Sequence, residues 1–95
     1  MLVLNAEFFE SLVGKDLTCN GAKGAETWQI TRVTRRELHR ERHDQPFNVY
    51  LAAPASNDRA QGVKSVLLPD GETVEFFAVA IAANAEAVSY EAIFN

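Results

Sequence analysis

The sequence predicts a mainly β domain: a small antiparallel barrel of about six strands with one short N-terminal helix, and a two-sheet β-sandwich as the alternative. Three observations lead there. Gly62 to Ile81 reads as two apolar strands folded back around Pro69-Asp70-Gly71-Glu72. In that turn proline presets one backbone angle, Asp70 can bond to its own main chain, and Gly71 supplies a positive φ. Short runs of alternating residues also recur along the chain with turn signals between them, as in small barrels and sandwiches. Finally, 95 residues with 47% hydrophobic and 23% charged side chains make one ordinary globular domain, residues 1–95, with a single core.

Taken in order, Asn5 is a good N-cap, Phe8, Phe9, Leu12 and Val13 recur at helical spacing, and Gly14 is a natural stop. The spacing predicts a helix over Asn5–Val13. At about two turns it is marginal alone, so its phenylalanines must plug one end of a core built by other elements. Lys15–Asn20 alternates with Leu17 and Cys19 on one face, and Gly21-Ala22-Lys23-Gly24 forms a turn. A strand from Glu26 to about Thr34 then turns Trp28 and Ile30 one way. Arg32 falls on the Trp28 face and breaks the alternation, which predicts a bulge or an edge there. After the polar stretch Arg35–Gln45, Pro46 opens a strand with Phe47, Val49 and Leu51 inward and Asn48, Tyr50 and Ala52 outward, ending at Pro54. Ala55–Gln61 is a loop into the hairpin. The second hairpin strand sets Val74, Phe76, Ala78 and Ala80 against Phe77, Val79 and Ile81, and a strand apolar on both faces is expected to be covered on both. A last strand runs from Ala87 to Phe94.

The charge of −4 argues against a phosphate-backbone partner. Phe76–Ala85 is about half the roughly 20 residues a membrane helix needs, and the apolar N-terminus ends at Asn5 without a positive region, unlike a signal peptide. One cysteine, Cys19, forms no internal disulfide, which fits a reducing, cytoplasmic setting. No nucleic acid and no membrane are expected as partners.

The composition break is Arg35–Gln45, with four arginines against three acids. A hairpin-linked domain joins strands through about two to five residues, so a longer charged link reads as an arm that meets a protein partner. Arg35, Arg36, Arg40 and Arg42 are its candidate contacts, since guanidinium grips carboxylates bidentately and stacks on rings. His39 and His43 are four apart, with Glu41 or Asp44 as a third ligand in reach. A zinc motif of this kind carries Glu directly after the first histidine, where Arg40 stands, and no metal site is expected. Trp28, Tyr50 and Tyr90 are candidates to line a barrel pocket for an apolar or sugar ligand, although completing the core is the simpler role. No base or oxyanion motif surrounds Cys19, Glu72, Glu75 and Glu91 form no acid–base pair by spacing, and no glycine-rich phosphate loop exists. Neither catalytic residues nor cofactors are expected.

Phe8-Phe9-Glu10-Ser11-Leu12-Val13-Gly14, the Pro46-Phe47-Asn48-Val49 strand entry, Gln61-Gly62, and the ending Tyr90-Glu91-Ala92-Ile93-Phe94-Asn95 resemble a bacterial family of unknown function, DUF6916, across essentially the whole chain. The resemblance implies a small β-domain with a phage-tail-like or tail-fibre-associated structural role. It brings no catalytic residues, and Arg35–Asp44 departs from its pattern. The expectation is a non-enzymatic structural or protein-interaction module whose partner is a protein, with homo-oligomers compatible. The alternative is a small-molecule-binding β-barrel, and a hydrolase would require His39, His43 and acids gathered in a cleft.

Overall fold

The computed structural model describes residues 4–21, 24–37 and 46–95. Helix α1 (Ala6–Glu10) is followed by β1 (Asp16–Gly21), β2 (Gly24–Arg35), β3 (Phe47–Pro54), β4 (Gly62–Leu67), β5 (Thr73–Ala83) and β6 (Ala87–Phe94). The strands close into a barrel in the order β1-β2-β3-β6-β5-β4, every neighbour antiparallel. The expected barrel is therefore the architecture, rather than the sandwich.

The predicted devices are present. Asn5 caps α1, its side-chain oxygen accepting from the Phe8 amide at 2.8 Å. The helix ends earlier than Val13 because the chain is pulled away: Val13 forms a parallel bridge with Ile30, and the Gly14 amide donates to the Ile30 carbonyl at 3.0 Å. Gly14, at φ +83°, takes that corner without a side-chain clash. The register of β2 on β3 shifts between Ile30 and Arg32, so Arg32 stands opposite Tyr50 on the outer wall, where its guanidinium lies 4.2 Å from the Tyr50 ring centroid. Val33 then returns to pack against the core. At the β4–β5 turn, Gly71 has φ +92° and the Asp70 side chain accepts from the Glu72 amide at 2.9 Å.

Inside the barrel, Leu17, Cys19, Trp28, Ile30, Val49, Leu51, Val66, Val88 and Tyr90 are essentially inaccessible. α1 closes one end, seating Phe9 among Phe47, Phe76 and Phe94 with ring centroids 5.1–5.9 Å away. The other end is crossed by residues 55–61. One expectation is corrected here. The outward face of β5 is uncovered: Phe77 is 54% and Ile81 51% exposed. A one-and-a-half-turn helix stoppers a barrel mouth and cannot also blanket its wall.

Candidate functional site

The outer wall carries an apolar row that the fold does not use. Val63 on β4 pairs with Phe77 on β5. Continuing the Val79–Glu91 register by two residues sets Ile93 of β6 beside Phe77, with Asn48 of β3 next in line. Val63 is 67% and Ile93 56% exposed, so each of the three keeps half or more of its surface in water. Carboxylates bracket the row along the strands: Glu75, opposite Ser65, on one side, and Glu91, opposite Val79 and Tyr50, on the other. Glu91 accepts from Asn48 Nδ2 at 3.3 Å, which fixes it at the row's margin. An uncovered apolar strip with acidic margins suits a partner surface that is apolar at its centre and basic at its rim.

At the mouth opposite α1 lies a partly buried polar cluster centred on Asn57. Glu26 accepts from Trp28 Nε1 at 3.0 Å and from Asn57 Nδ2 at 2.8 Å. Tyr90 Oη lies 2.7 Å from Asn57 Oδ1 and 3.1 Å from the Ala60 carbonyl, and the Arg59 amide also donates to Asn57 Oδ1. Gly21 makes room for this arrangement, since a Cβ there would sit 2.8 Å from the Glu26 carboxyl carbon. The Lys64 ammonium lies 5.3 Å from the Tyr90 ring centroid and 5.9 Å from that of Trp28, within cation–π range. Burial pushes the Tyr90 phenol above its usual range, with Asp58 and Glu26 adding to the shift and the Asn57 bond opposing it. Burial likewise raises the Cys19 thiol against a smaller lowering by Lys64. A cysteine held in the thiol form is a poor nucleophile. The cluster's bonds are turned inward and spent on fastening residues 55–61 across the mouth.

The residues singled out from the sequence do not form one site. Trp28 and Tyr90 pack at a tilt inside the barrel with centroids 4.5 Å apart, both fully buried, whereas Tyr50 is half-buried on the outer wall beneath Arg32. The three therefore share no pocket. Arg35 is the last residue of β2 rather than the start of a loop, and it forks onto Glu10 of α1, with Nη2 at 2.6 Å and Nε at 3.2 Å from its carboxylate oxygens. That bond holds the Glu10 carboxyl below its usual range. Arg36 Nη2 donates to the Phe94 carbonyl at 2.7 Å and to Asn95 Oδ1 at 2.8 Å. Both arginines thus tie the helix end of the barrel together. Arg40, Arg42, His39, His43, Glu41 and Asp44 lie outside the described residues. Among the described residues no group of three or more His, Cys, Asp and Glu side chains gathers as metal ligands, and no helix is long and apolar enough to cross a membrane. A groove of about 220 Å³ between α1 and the β4–β5 turn, lined by Phe8, Ser11, Lys15 and Asp70 among others, is smaller than the roughly 300 Å³ at which ligand pockets begin.

Asn57, Glu26 and Lys64 escaped the sequence reading. Asn57 stands in a small-residue polar loop, and the periodicity of β4 placed Lys64 on the Val66 face without marking its approach to the Trp28 and Tyr90 rings. The helix, the six strands and the aromatic ending together span the part of the chain that a family model recognises: the model described as "Domain of unknown function (DUF6916)" matches residues 4–94. The chain belongs to this family. No curated protein and no solved structure matches it. The DUF6916 domain here is thus the barrel with its helical stopper, and the outer apolar row lies within the matched span.

Proposed function

We propose that this DUF6916 domain is a non-enzymatic protein-interaction module that presents the Val63–Phe77–Ile93 row to a protein partner. The observation that carries the reading is the exposure of these three large apolar side chains on a wall that neither the helix nor any loop among the described residues covers. Burying such a row is worth about 25 cal/mol per Å² of apolar surface, a gain the isolated domain does not collect. The margins Glu75 and Glu91 give the partner a basic rim, and Arg40 and Arg42 join the proposal as arm contacts, while Arg35 and Arg36 serve the fold. The setting we propose, a phage-tail-like or tail-fibre-associated assembly, is supported by the family resemblance. The alternative, a ligand held in the barrel, has no supporting observation, because Trp28 and Tyr90 occupy the interior.

The test is capture of the partner from the protein's native cells by the parent domain, by Phe77→Asp, and by Thr18→Asp, an exposed control on β1. The reading expects loss with Phe77→Asp alone. Equal capture by the parent domain and both variants overturns the row as the binding surface.

A further inference from the structure

The seams of the barrel are not equally laced. β1 and β4 meet only at Thr18–Leu67 and Cys19–Val66, whereas β3 and β6 pair without interruption from Phe47–Phe94 to Pro54–Ala87. Among the described residues, Gly62–Ser65 of β4 has no register partner on the β1 side, although β1 continues through Asn20 and Gly21. At its other end the seam runs out into a gap: the groove of about 220 Å³ is lined by Lys15, just before β1, and by Leu68, Pro69 and Asp70, just after β4. The two strands are joined at the middle of the seam alone.

Side chains add little across this line. The ring contacts join α1, β2, β3, β5 and β6, and neither β1 nor β4 carries an aromatic residue. Among the described residues no side-chain hydrogen bond or ion pair runs from β1 to β4, and the bond between Asp16 and Gln29, 2.7 Å long, ties β1 to β2 instead. The inner residues where the strands cross, Cys19 and Val66, are small. Lys64 spans the seam from β4, its ammonium 5.9 Å from the Trp28 ring centroid on β2.

Each strand is held far better by its other neighbour. β1 pairs over all of Asp16–Gly21 with β2, and β4 over all of Gly62–Leu67 with β5, so parting β1 from β4 breaks neither hairpin. We propose that the barrel is built to open along the β1–β4 seam, β1 remaining on β2 and β4 on β5, while the ladders that join β2, β3, β6 and β5 stay paired. The opening is a local one that costs less than unfolding the domain, and it brings the inner stripe of Cys19 and Val66 to solvent. It does not rest on the Val63–Phe77–Ile93 reading, because Val63 keeps its partner Phe77 in either state.

Cys19 reports on the seam without any substitution, being the chain's one cysteine and 1% exposed in the closed barrel. Its labelling by an aromatic disulfide reagent is followed from zero to about 2 M urea, beside equilibrium unfolding of the same protein. Labelling is expected to run at least about tenfold faster than global unfolding allows and to depend weakly on urea, since a local opening exposes little surface. Thr18→Cys with Leu67→Cys, oxidised across the exposed outer side of the seam, should slow Cys19 labelling by at least about tenfold. Native-state amide exchange of the parent protein needs no bridge: the seam-facing amides among Thr18, Cys19, Val66 and Leu67 should exchange at least about tenfold faster than the paired amides of Val49–Leu51. Labelling that follows global unfolding in both size and urea dependence, an unchanged rate in the bridged variant, or seam amides as protected as those of Val49–Leu51 would each overturn the proposal.

Discussion

Replacing Phe9 with alanine removes the stopper from one end of the barrel. Phe9 is 1% exposed and its ring meets those of Phe8, Phe47, Phe76 and Phe94 at centroid distances of 5.1–5.9 Å. Truncating a fully buried phenylalanine costs about 3–5 kcal/mol, from lost transfer energy plus the cavity left behind. The upper half of that range applies, because the surrounding rings come from three strands already fixed in the barrel ladder and cannot collapse into the space. A 95-residue domain has about 5–14 kcal/mol to lose, so the variant forfeits a large part of its stability. With a urea m-value of about 1.5 kcal/mol/M, the midpoint should fall by about 3 M at unchanged m. Phe8→Ala, half-buried on the same helix, serves as the comparison and should shift the midpoint far less. A Phe9→Ala midpoint within about 0.5 M of the parent would refute the reasoning, since the helix would then be an ornament on a barrel that closes without it.

The remaining expectations concern the other end and the surface. Asn57→Ala removes a partner from Glu26 and from Tyr90 and should cost about 1–3 kcal/mol in thermal unfolding, with faster amide exchange confined to residues 55–61. Stability should fall at alkaline pH. Cys19 and Tyr90 keep their protons in the fold above 9.0 and 10.0, where the unfolded chain begins to release them, so their contribution is complete below those values and is lost as pH rises toward the folded values. Tyr90→Phe should flatten the part of the decline above pH 10.0, and a parent protein equally stable at pH 8 and pH 11 would contradict the burial of both groups. The Glu10 carboxyl works in the opposite sense: its stabilisation is present above 4.5 and lost as pH falls below it. Arg35→Ala should therefore give a small drop in Tm that shrinks with added salt, as expected for an exposed pair.

Most of the architecture was legible because its signals are local. The Pro69–Glu72 turn, the Asn5 cap and the interruption at Arg32 each state their geometry within a few residues, and each appears where its chemistry puts it. The helix's length was not legible, since the pull of Ile30 on Val13 and Gly14 is a contact between distant segments. The same holds for Arg35 and Arg36, whose partners Glu10 and Phe94 lie 25 and 58 residues away. The doubly apolar pattern of β5 was read correctly, but its cover was not, because a sequence shows which side chains are apolar and not whether another element is long enough to reach them. Asn57 was hidden for a related reason: in a run of small polar residues only the closed barrel reveals which one points inward.

The central claim is that the Val63–Phe77–Ile93 wall meets a protein partner, and site-specific photo-cross-linking in the native cells tests it most directly. A photoreactive side chain replaces Phe77 in one preparation and Thr18 in another. The account predicts one discrete adduct from position 77, absent from position 18 and lost when Ile93→Asp is added. Adducts of equal pattern and yield from both positions, or none from position 77, would contradict it.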